Sequence, residues 1–447
     1  MTEKLFGTDG IRGVANRHPI TCEIALQIGR AAGLLVKKGG YKSIIVGKDT
    51  RQSGDMLEAS LSAGIVSTGI DCKIAGIIPT PAVAYLTINE SDAGAGIVIS
   101  ASHNPYQDNG IKIFNGNGNK LDESDQNYIE NFIHENKEYA GINSIGRISN
   151  ITNAVEQYAD FLKSTLDHNL IKKQIKIIID CSNGAAFNTA PEVFSSSKFD
   201  VDFIFNLPDG KNINEKCGSQ HTQILSNNVV KKCADLGFAF DGDADRLIAI
   251  DEKGFEVKGD RILAICSKFL QDQGNLDNNK VVSTVMSNIG LVRFLKESGI
   301  DHIVTDVGDI NVIKEMRENN AVIGGEDSGH LIFSKYHTTG DGILSALRII
   351  EVMAYTQKPL SELAQVMKIY PQVLMNVKVK NSKPDLMNIK KVADTIKQVE
   401  TELGSEGRVL IRYSGTQPLL RIMIEGPDRE ITNNYCKLIC KEVKKYI

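Results

Sequence analysis

The feature that most constrains the fold of this chain is a repeated alternation of short runs rich in Val and Ile with longer amphipathic stretches. Residues 43–47, 96–100 and 176–180 are typical of the runs, and residues 56–68 are typical of the stretches. Short apolar runs fit strands that are buried on both faces of a sheet, and amphipathic stretches fit the helices that cover it. The sequence therefore predicts an α/β fold with largely parallel, buried strands.

The pattern changes after Pro371. Strands are predicted there over 373–380, 408–413 and 419–425, and helices over 386–403 and 429–446. These elements make a small α+β unit of about 75 residues, near the lower end of independent domain sizes. Elsewhere, the further predicted strands cover 238–241, 247–251, 281–286 and 303–306, and the further helices cover 260–271 and 290–297.

The length and composition indicate a globular protein of several domains. The chain has 447 residues, which suggests about three domains, and polar segments near 140–153, 251–259 and 368–371 are candidate junctions. Hydrophobic residues make up 42% and charged residues 24% of the chain, which excludes general disorder. The net charge of −4 does not favour nucleic acid or an acidic membrane as a partner. The sequence has no apolar signal core and no bilayer-spanning stretch, so it predicts a cytoplasmic protein.

The eight cysteines are scattered and include no Cys-x-x-Cys pair. We expect reduced, mostly buried thiols. Cys436 and Cys440 lie four residues apart on a predicted helix, and without a histidine cluster such a pair indicates packing rather than a metal site.

Three carboxylates alternate in the segment Asp241-Gly-Asp243-Ala-Asp245-Arg246, between two very apolar strands. Carboxylates this close repel one another unless a cation lies between them, and their oxygens suit Mg²⁺. An EF-hand calcium loop is the rival interpretation. It fails because Arg246 occupies the position that needs Gly, and because the flanking segments are predicted strands rather than helices.

A second polar loop, Ser100-Ala-Ser-His-Asn-Pro105, leaves the predicted strand at 96–100. Ser102 is a candidate nucleophile, with His103 and Lys112 as nearby cations or bases. No Gly-x-Ser-x-Gly sequence of a serine hydrolase occurs in the chain. On this loop alone, a Ser/Asn turn ended by proline is as good an interpretation as a catalytic site.

The predicted hairpin at 408–425 contains the segment Arg412-Tyr-Ser-Gly-Thr-Gln-Pro-Leu-Leu-Arg421. The hydroxyls of Ser414 and Thr416, the N–H of Gly415 and the two guanidiniums are donors that suit a phosphate dianion. The alternative is a plain hairpin with two surface arginines. Neither a Walker sequence nor a Gly-x-Gly-x-x-Gly sequence is present, so nucleotide binding by those modes is not supported.

The last polar loop is Gly324-Gly-Glu-Asp-Ser-Gly-His330, followed by Thr338-Thr-Gly-Asp-Gly342. Glu326, Ser328 and His330 could bind sugar hydroxyls or an amine, although a polar turn is the more ordinary interpretation. A glycine-bracketed loop near the N-terminus adds Arg12. Taken together, a nucleophile, an acidic metal site, a sugar-type loop and a phosphate clamp favour phosphoryl transfer on a phosphorylated sugar.

These segments resemble, in order, the motifs of the α-D-phosphohexomutase superfamily, and within it the bacterial phosphoglucosamine mutases. The resemblance covers essentially the whole chain and departs from the subfamily at few positions, among them Ala244, Asp327 and Gln417. Further motifs that carry it lie at 6–13, 79–86, 212–219 and 370–373.

The resemblance implies four domains around one cleft, three of them α/β with mixed sheets and the last a smaller α+β domain. We expect them at 1–152, 153–252, 253–368 and 369–447. It implies that Ser102 is phosphorylated in the active enzyme and ligates one Mg²⁺ with the three aspartates. The groups expected around the transferring phosphoryl are Arg12, His103, Lys112 and Arg246. The expected sugar loop is Glu326, Ser328 and His330, and the expected phosphate clamp is Arg412, Ser414, Gly415, Thr416 and Arg421.

The activity implied by the resemblance is interconversion of glucosamine 6-phosphate and glucosamine 1-phosphate through a 1,6-bisphosphate, supplying UDP-N-acetylglucosamine synthesis and cell-wall precursors. A hexose or hexosamine 1,6-bisphosphate would prime the serine. We expect a monomer or homodimer whose partner is a small sugar phosphate. Two alternatives stay open: glucose or mannose phosphate specificity on the same scaffold, and a non-catalytic, metal-dependent sugar-phosphate binding protein.

Overall fold

The computed structural model describes residues 4–135, 144–379, 383–413 and 418–447. It has the α/β architecture that the alternation of apolar runs predicts. Its first region contains β1 (Ile11–Val14), α1 (Cys22–Lys38), β2 (Ser43–Lys48), α2 (Ser53–Val66), β3 (Asp71–Ile77), α3 (Thr80–Asn89), β4 (Ala93–Ile99), β5 (Asp108–Asn115), α4 (Glu123–His134) and β6 (Ile148–Asn150). The second contains α5 (Ala154–Ser164), β7 (Ile175–Asp180), α6 (Ala186–Val193), β8 (Phe199–Ile204), α7 (Gln223–Lys232), β9 (Leu236–Phe240), β10 (Leu247–Asp251) and β11 (Glu256–Val257).

The remaining elements complete a third and a fourth sheet. The third region contains α8 (Gly259–Asp272), β12 (Lys280–Thr284), α9 (Ile289–Glu297), β13 (Asp301–Thr305), α10 (Asp309–Glu318), β14 (Ile323–Gly325), β15 (Leu331–Phe333), α11 (Gly342–Thr356) and α12 (Leu360–Leu363). The last contains β16 (Gln372–Lys378), α13 (Lys390–Leu403), β17 (Arg408–Tyr413), β18 (Leu419–Glu425) and α14 (Arg429–Val443).

The first three sheets share one strand arrangement. Their orders are β1-β5-β4-β2-β3-β6, β11-β10-β9-β7-β8 and β13-β12-β14-β15. In each sheet a central strand (β2, β7 or β12) has a parallel neighbour on either side, and one of those neighbours (β4, β9 or β14) also pairs with an antiparallel strand (β5, β10 or β15). The turn that joins that antiparallel pair carries, in turn, the serine loop, the aspartate loop and the sugar-type loop. Three differently sequenced loops therefore occupy the same topological position.

The chain divides into two compact units. The larger unit comprises 1–286 and 300–366, and the smaller comprises 287–299 and 367–447. The smaller unit holds the antiparallel sheet β16-β18-β17 together with α13 and α14. It also takes α9, because the Asn288 side chain that caps this helix bonds to the backbone of Tyr370, and the Ile289 N–H donates to Glu425.

Two details refine the sequence predictions. The single helix predicted over 386–403 is a short 3₁₀ turn at Leu386–Asn388 followed by α13, because Ile389 is extended with φ −95° and ψ 100°. The cysteines are free thiols, and Cys436 and Cys440 lie in the apolar core of the smaller unit, in agreement with a packing role.

Among the described residues, no helix is long and apolar enough to traverse a lipid bilayer.

Candidate active site

The larger unit brings the serine, aspartate and sugar-type loops together. Ser102 Oγ donates a hydrogen bond to Asp241 Oδ2 at 2.6 Å. Lys112, on β5, places its Nζ 2.8 Å from Asp243 Oδ2. His330, the last residue of the sugar-type loop, places its Nε2 4.0 Å from Asp245 Oδ2. Each loop leaves the carboxyl end of a buried strand, which is where α/β sheets form ligand sites.

The three aspartates form a buried group that fits a metal ion. Ligand oxygens of Asp241, Asp243 and Asp245 lie within 4.8 Å of one another. Two of the buried oxygens, Oδ1 of Asp243 and Oδ1 of Asp245, have no hydrogen-bond partner within the described part of the chain. Burial, reinforced by the charges of the other two aspartates, raises the pKa of Asp241 well above its ordinary value. Oxygen ligands with unused capacity and crowded negative charge suit a hard divalent cation.

Buried cations balance part of this negative charge. Lys112 Nζ lies 3.2 Å from Asp245 Oδ2 and 3.1 Å from Asp9 Oδ2. Burial opposes the charge on Lys112, but Asp243, Asp9 and Asp245 more than offset it and raise the pKa of its ammonium well above the ordinary value. Lys112 is therefore a fixed cation at neutral pH and not a base.

Ser102 has an unusual backbone conformation for a residue with a side chain. Its φ is +53°, in the left-handed region, and its N–H donates to Ser100 Oγ at 2.9 Å. Strained conformations of this kind persist when surrounding contacts hold them, and they concentrate at functional sites. His103 Nδ1 lies 3.3 Å from Ser102 Oγ. Burial, with the positive charges of Arg246 and Arg12, lowers the pKa of His103 to about 4, so its ring is neutral at pH 7.

A chain of alternating charges adjoins these groups, and the sequence predicted only two of its members, Arg12 and Lys112. Asp9 forms ion pairs with Arg12, Lys112 and Lys120, and Lys120 also pairs with Asp309. Burial alone would raise the pKa of Asp9, but Lys112, Lys120 and Arg12 lower it well below the ordinary value. Asp9 stands in the same glycine-bracketed loop as Arg12, which could have drawn attention to it. Lys120 and Asp309 carry no comparable sequence signal.

The sugar-type loop presents Glu326 as a half-buried carboxylate. Its Oε1 accepts a hydrogen bond from the Gly308 N–H at 3.0 Å, and Ser328 Oγ lies 3.4 Å from Oε2. Asp327 instead caps the start of α8, because its carbonyl accepts from the Gly259 N–H at 3.2 Å and its carboxylate lies 3.4 Å from the Asp260 N. Asp327, one of the positions at which the chain departs from the subfamily, therefore stabilises the N-terminus of α8.

The polar segment at 338–342 contacts the aspartate loop, the sugar-type loop and the turn that follows β5. Thr338 Oγ1 donates to the Gly118 carbonyl at 2.7 Å, and the Gly342 N–H donates to the Ala244 carbonyl at 3.0 Å. Gly340 packs on the ring of His330 so closely that a Cβ there would lie 2.3 Å from Nε2.

Arg246 donates its backbone N–H to Asp241 Oδ1 at 3.1 Å, and its Nε lies 3.7 Å from Asp245 Oδ1.

The smaller unit holds the two arginines of the predicted phosphate clamp. Arg412 and Arg421 are direct partners in the antiparallel pair β17–β18, so both side chains project from the same face. Among the described residues, neither forms an ion pair with a carboxylate, and the buried Arg412 Nε has no hydrogen-bond partner. Like charges placed directly opposite destabilise a sheet, which indicates a site for an anion. Ser414, Gly415 and Thr416 lie outside the described residues.

Comparison with family models identifies all four parts of the chain. Models of phosphoglucomutase/phosphomannomutase match as α/β/α domain I over residues 3–140, α/β/α domain II over 156–254, α/β/α domain III over 258–370 and the C-terminal domain over 374–442.

Similar proteins agree with these matches. A phosphoglucosamine mutase of Desulforapulum autotrophicum is 56% identical, with 99% of each chain covered. A crystal structure of a phosphoglucomutase/phosphomannomutase family protein from Burkholderia thailandensis has a TM-score of 0.81 at 22% identity, covering 100% of this chain and 99% of that one. An Aspergillus fumigatus N-acetylphosphoglucosamine mutase, solved with GlcNAc-6P and magnesium, has a TM-score of 0.67 at 16% identity, covering 99% and 95%. The four matched domains and the full-length identity show that this chain belongs to the phosphoglucomutase/phosphomannomutase family.

Proposed function

We propose that this protein is a phosphoglucosamine mutase, an isomerase that interconverts glucosamine 6-phosphate and glucosamine 1-phosphate in the cytoplasm. The observation that carries the proposal is the placement of Ser102 Oγ, 2.6 Å from Asp241 in a buried aspartate group that Lys112 also contacts. A relative of that name, 56% identical over its full length, supports the choice of substrate.

In this proposal, phosphorylated Ser102 gives its phosphoryl group to the free hydroxyl of the sugar monophosphate. The bond between phosphorus and Ser102 Oγ breaks as the bond to the sugar oxygen forms, and the hydroxyl proton ends on Ser102 Oγ. The product is a 1,6-bisphosphate, whose other phosphoryl group returns to Ser102 by the reverse exchange. The covalent intermediate divides one difficult transfer into two easier ones. A hexose or hexosamine 1,6-bisphosphate also serves as the primer of free Ser102.

The side chains around Ser102 have separate tasks. Asp241, Asp243, Asp245 and the phosphorylated Ser102 would hold one Mg²⁺, which when bound neutralises charge on phosphoryl oxygens. Lys112, which is buried, and Arg246, which is half-buried, supply fixed positive charge near the transferring phosphoryl group. The surrounding carboxylates raise the pKa of each side chain against the effect of desolvation, so both stay charged. Such preorganised charge is usually the largest contribution to catalysis of phosphoryl transfer.

The remaining contacts fix the substrate. Glu326, Ser328 and His330 would bind hydroxyl and amino groups of the sugar, and Arg12 would lie beside the transferring group with His103. Arg412 and Arg421, with the 414–416 segment, would hold the phosphate that is not being transferred. We further propose that these roles fall on four domains at 1–152, 153–252, 253–368 and 369–447, acting as a monomer or homodimer.

A substrate comparison tests the proposal. Purified protein primed with glucose 1,6-bisphosphate and Mg²⁺ should turn over glucosamine 1-phosphate with a higher kcat/KM than glucose 1-phosphate or mannose 1-phosphate. A higher kcat/KM for glucose 1-phosphate or mannose 1-phosphate would show that this sugar phosphate, and not glucosamine phosphate, is the preferred substrate. Absence of turnover by primed protein would favour a binding protein.

Peptide mapping tests the covalent step. The added phosphate should map to Ser102, and Ser102→Ala should lose most of the turnover. Ser149→Ala, a control at an exposed serine of β6, should keep both the phosphate and the activity. Full activity of the Ser102→Ala protein would rule out the phosphoserine mechanism.

A further inference from the structure

We infer that Asn214 and Arg51 are positioning residues, which together fix the loop that carries Ser102 against the aspartate loop. The inference rests on the proposed function, since it concerns how the phosphorylated serine is placed. Asn214 belongs to the segment at 212–219, whose resemblance to the family is clear but whose task the catalytic scheme does not explain.

Two carbonyl groups of the serine loop point inward and share the same two donors. The Ser102 carbonyl accepts from Arg51 Nη2 at 3.1 Å and from Asn214 Nδ2 at 2.9 Å. The Asn104 carbonyl accepts from the same Arg51 nitrogen at 2.6 Å and from the same Asn214 nitrogen at 3.0 Å. The two side chains therefore clasp the backbone on both sides of His103. A left-handed residue such as Ser102 needs surroundings of this kind to hold it.

Arg51 fixes the serine loop to its own sheet. Its side chain is fully buried and forms an ion pair with Asp49, which directly follows β2, the parallel neighbour of β4. The Arg51 N–H also donates to Asp49 Oδ1 at 2.9 Å, and the Asp49 N–H donates to the Ile99 carbonyl at 3.1 Å. The planar guanidinium, with several donors in a rigid arrangement, suits the bridging of two carbonyls.

Asn214 ties the same loop to the second sheet. Its own N–H donates to the Ser182 carbonyl at 2.9 Å. The buried carboxylate of Asp180, at the end of β7, accepts from Ser182 N–H and from Gly218 N–H, both at 2.8 Å. Asp180 thus holds Ser182, whose carbonyl accepts from Asn214, and Gly218, which follows Asn214 by four residues. Asn214 has a φ of +58°, which asparagine tolerates better than most residues.

The aspartate loop closes over this junction. A Cβ on Gly242 would lie 2.6 Å from the Ser102 carbonyl oxygen and 2.8 Å from Asn214 Nδ2. The residue between Asp241 and Asp243 is therefore packed directly on the clasped carbonyl. Through this contact, the position of Asn214 sets the distance between Ser102 Oγ and the aspartates. Misplacement of reacting groups by about 1 Å costs on the order of a hundredfold in rate.

Substitutions at Asn214 test this role, because its side chain is only half-buried and the backbone conformation accepts Asp and Gly. Asn214→Gly removes both donor contacts. Asn214→Asp keeps the shape but directs a carboxylate at two carbonyl oxygens. We expect kcat to fall about tenfold in Asn214→Gly and about a hundredfold in Asn214→Asp, with KM for glucosamine 1-phosphate nearly unchanged. Glu215→Gln, an exposed neighbour, is the matched control and should behave as the wild type.

A spectroscopic measurement separates positioning from general destabilisation. The ³¹P resonance of the phosphate on Ser102 should shift in both Asn214 variants and stay in place in Glu215→Gln. Unchanged kcat in both Asn214 variants would overturn the inference, and so would a fall in kcat with an unshifted resonance. Failure of the wild type to take up phosphate or to turn over would instead contradict the proposed function.

Discussion

Lys112 Nζ lies 2.8 Å from Asp243 Oδ2. The buried ammonium therefore neutralises part of the negative charge of the aspartates that a divalent cation would also neutralise. The lysine and a metal ion therefore act on the same excess of negative charge. Their contributions to stability should depend on each other, as those of groups that share a partner do.

Replacement of Lys112 by Met should reveal this dependence. Without the ammonium, Asp9, Asp243 and Asp245 lose a common partner, and breaking a buried ion pair from one side costs about 3–5 kcal/mol. We expect a large fall in melting temperature without Mg²⁺ and a smaller one with it, measured by thermal unfolding. Lys48, on β2 of the same sheet, forms ion pairs with Asp55 and Glu58 of α2. Lys48→Met should lower the melting temperature equally in both conditions. If Lys112→Met lowered the melting temperature by the same amount with and without Mg²⁺, the ammonium and the metal ion would not be neutralising the same carboxylates.

Removal of metal should affect both activity and stability. A ligand at a hundred times its Kd stabilises the folded state by about 2.7 kcal/mol, so Mg²⁺ should raise the melting temperature and chelation should abolish turnover. Asp245→Asn should reduce the Mg²⁺-dependent shift, because it removes one charged ligand. The exposed Asp272→Asn should leave the shift intact. Undiminished turnover in excess chelator would contradict the assignment of the metal site.

The buried Asp180 gives stability a specific pH dependence. Burial raises the pKa of Asp180 to about 7, against an ordinary value of 3.8, although two backbone N–H groups oppose the rise. The folded state therefore favours the protonated acid. The cost of ionisation is absent below about pH 4 and complete above about pH 7. Wild-type protein should lose stability relative to Asp180→Asn as pH rises through this window.

Thermal unfolding of both proteins between pH 4 and pH 7 measures the change. Exposed Asp209 provides the control, because its backbone hydrogen bonds, above all with the Lys211 N–H, lower its pKa, so its titration lies below this window. The stability difference between wild type and Asp209→Asn should stay constant over the same range. A constant difference for Asp180→Asn as well would mean that Asp180 titrates normally.

Gly340→Ala tests how the sugar-type loop is held. The added Cβ would lie 2.3 Å from His330 Nε2, so the imidazole has to move. We expect KM for the sugar phosphate to rise about tenfold, the cost of one lost polar contact at about 1.4 kcal/mol per decade. In Gly54→Ala, in α2, the nearest atom to the added Cβ belongs to the flexible Lys48 side chain, at 3.2 Å, so KM should stay unchanged. An unaltered KM for Gly340→Ala would remove His330 from the proposed sugar contacts.

Arg421→Met should separate binding from stability in the smaller unit. It removes a charged donor to phosphate, worth about 1.5–3 kcal/mol, so kcat/KM should fall about ten- to a hundredfold. It also relieves the repulsion between opposed guanidiniums, so the melting temperature should rise slightly. Lys at 421 should restore activity only in part, since it lacks the bidentate geometry.

The controls for this variant are Mg²⁺ affinity, which should be unchanged, and Arg429→Ala, at an exposed position of α14, which should keep wild-type activity. Loss of Mg²⁺ affinity with intact sugar-phosphate binding would show that Arg421 serves the metal site instead.

The sequence predicted most of what depends on local pattern. Most of the apolar runs before residue 371 became buried strands, and polar loops follow their carboxyl ends, which is where α/β sheets form ligand sites. The serine, aspartate and sugar-type loops leave three different sheets, so their meeting depends on tertiary packing and not on local pattern. The shared arrangement of the first three sheets was not predictable, since the serine, aspartate and sugar-type loops have unrelated sequences.

Contacts between residues far apart in the sequence could not be predicted either. Lys120 is 111 positions from Asp9, and nothing in the neighbouring sequence marks it as the partner of two carboxylates. Asn214 was visible only as part of a family motif. Its two carbonyl acceptors lie 112 and 110 positions away, in a loop of another sheet. Contacts of this kind follow from tertiary packing, which one sequence does not specify by periodicity.

The opposed guanidiniums of Arg412 and Arg421 bear on the direction of the proposed reaction. Two neighbouring cations recognise the charge and shape of a phosphate, and they make no distinction between the carbon atoms that carry it. A bisphosphate presents an equivalent dianion at each end, so either end should dock with similar affinity. The proposed clamp would then favour neither orientation of the bisphosphate. The concentrations of the two monophosphates, relative to their equilibrium ratio, would set the direction of net conversion.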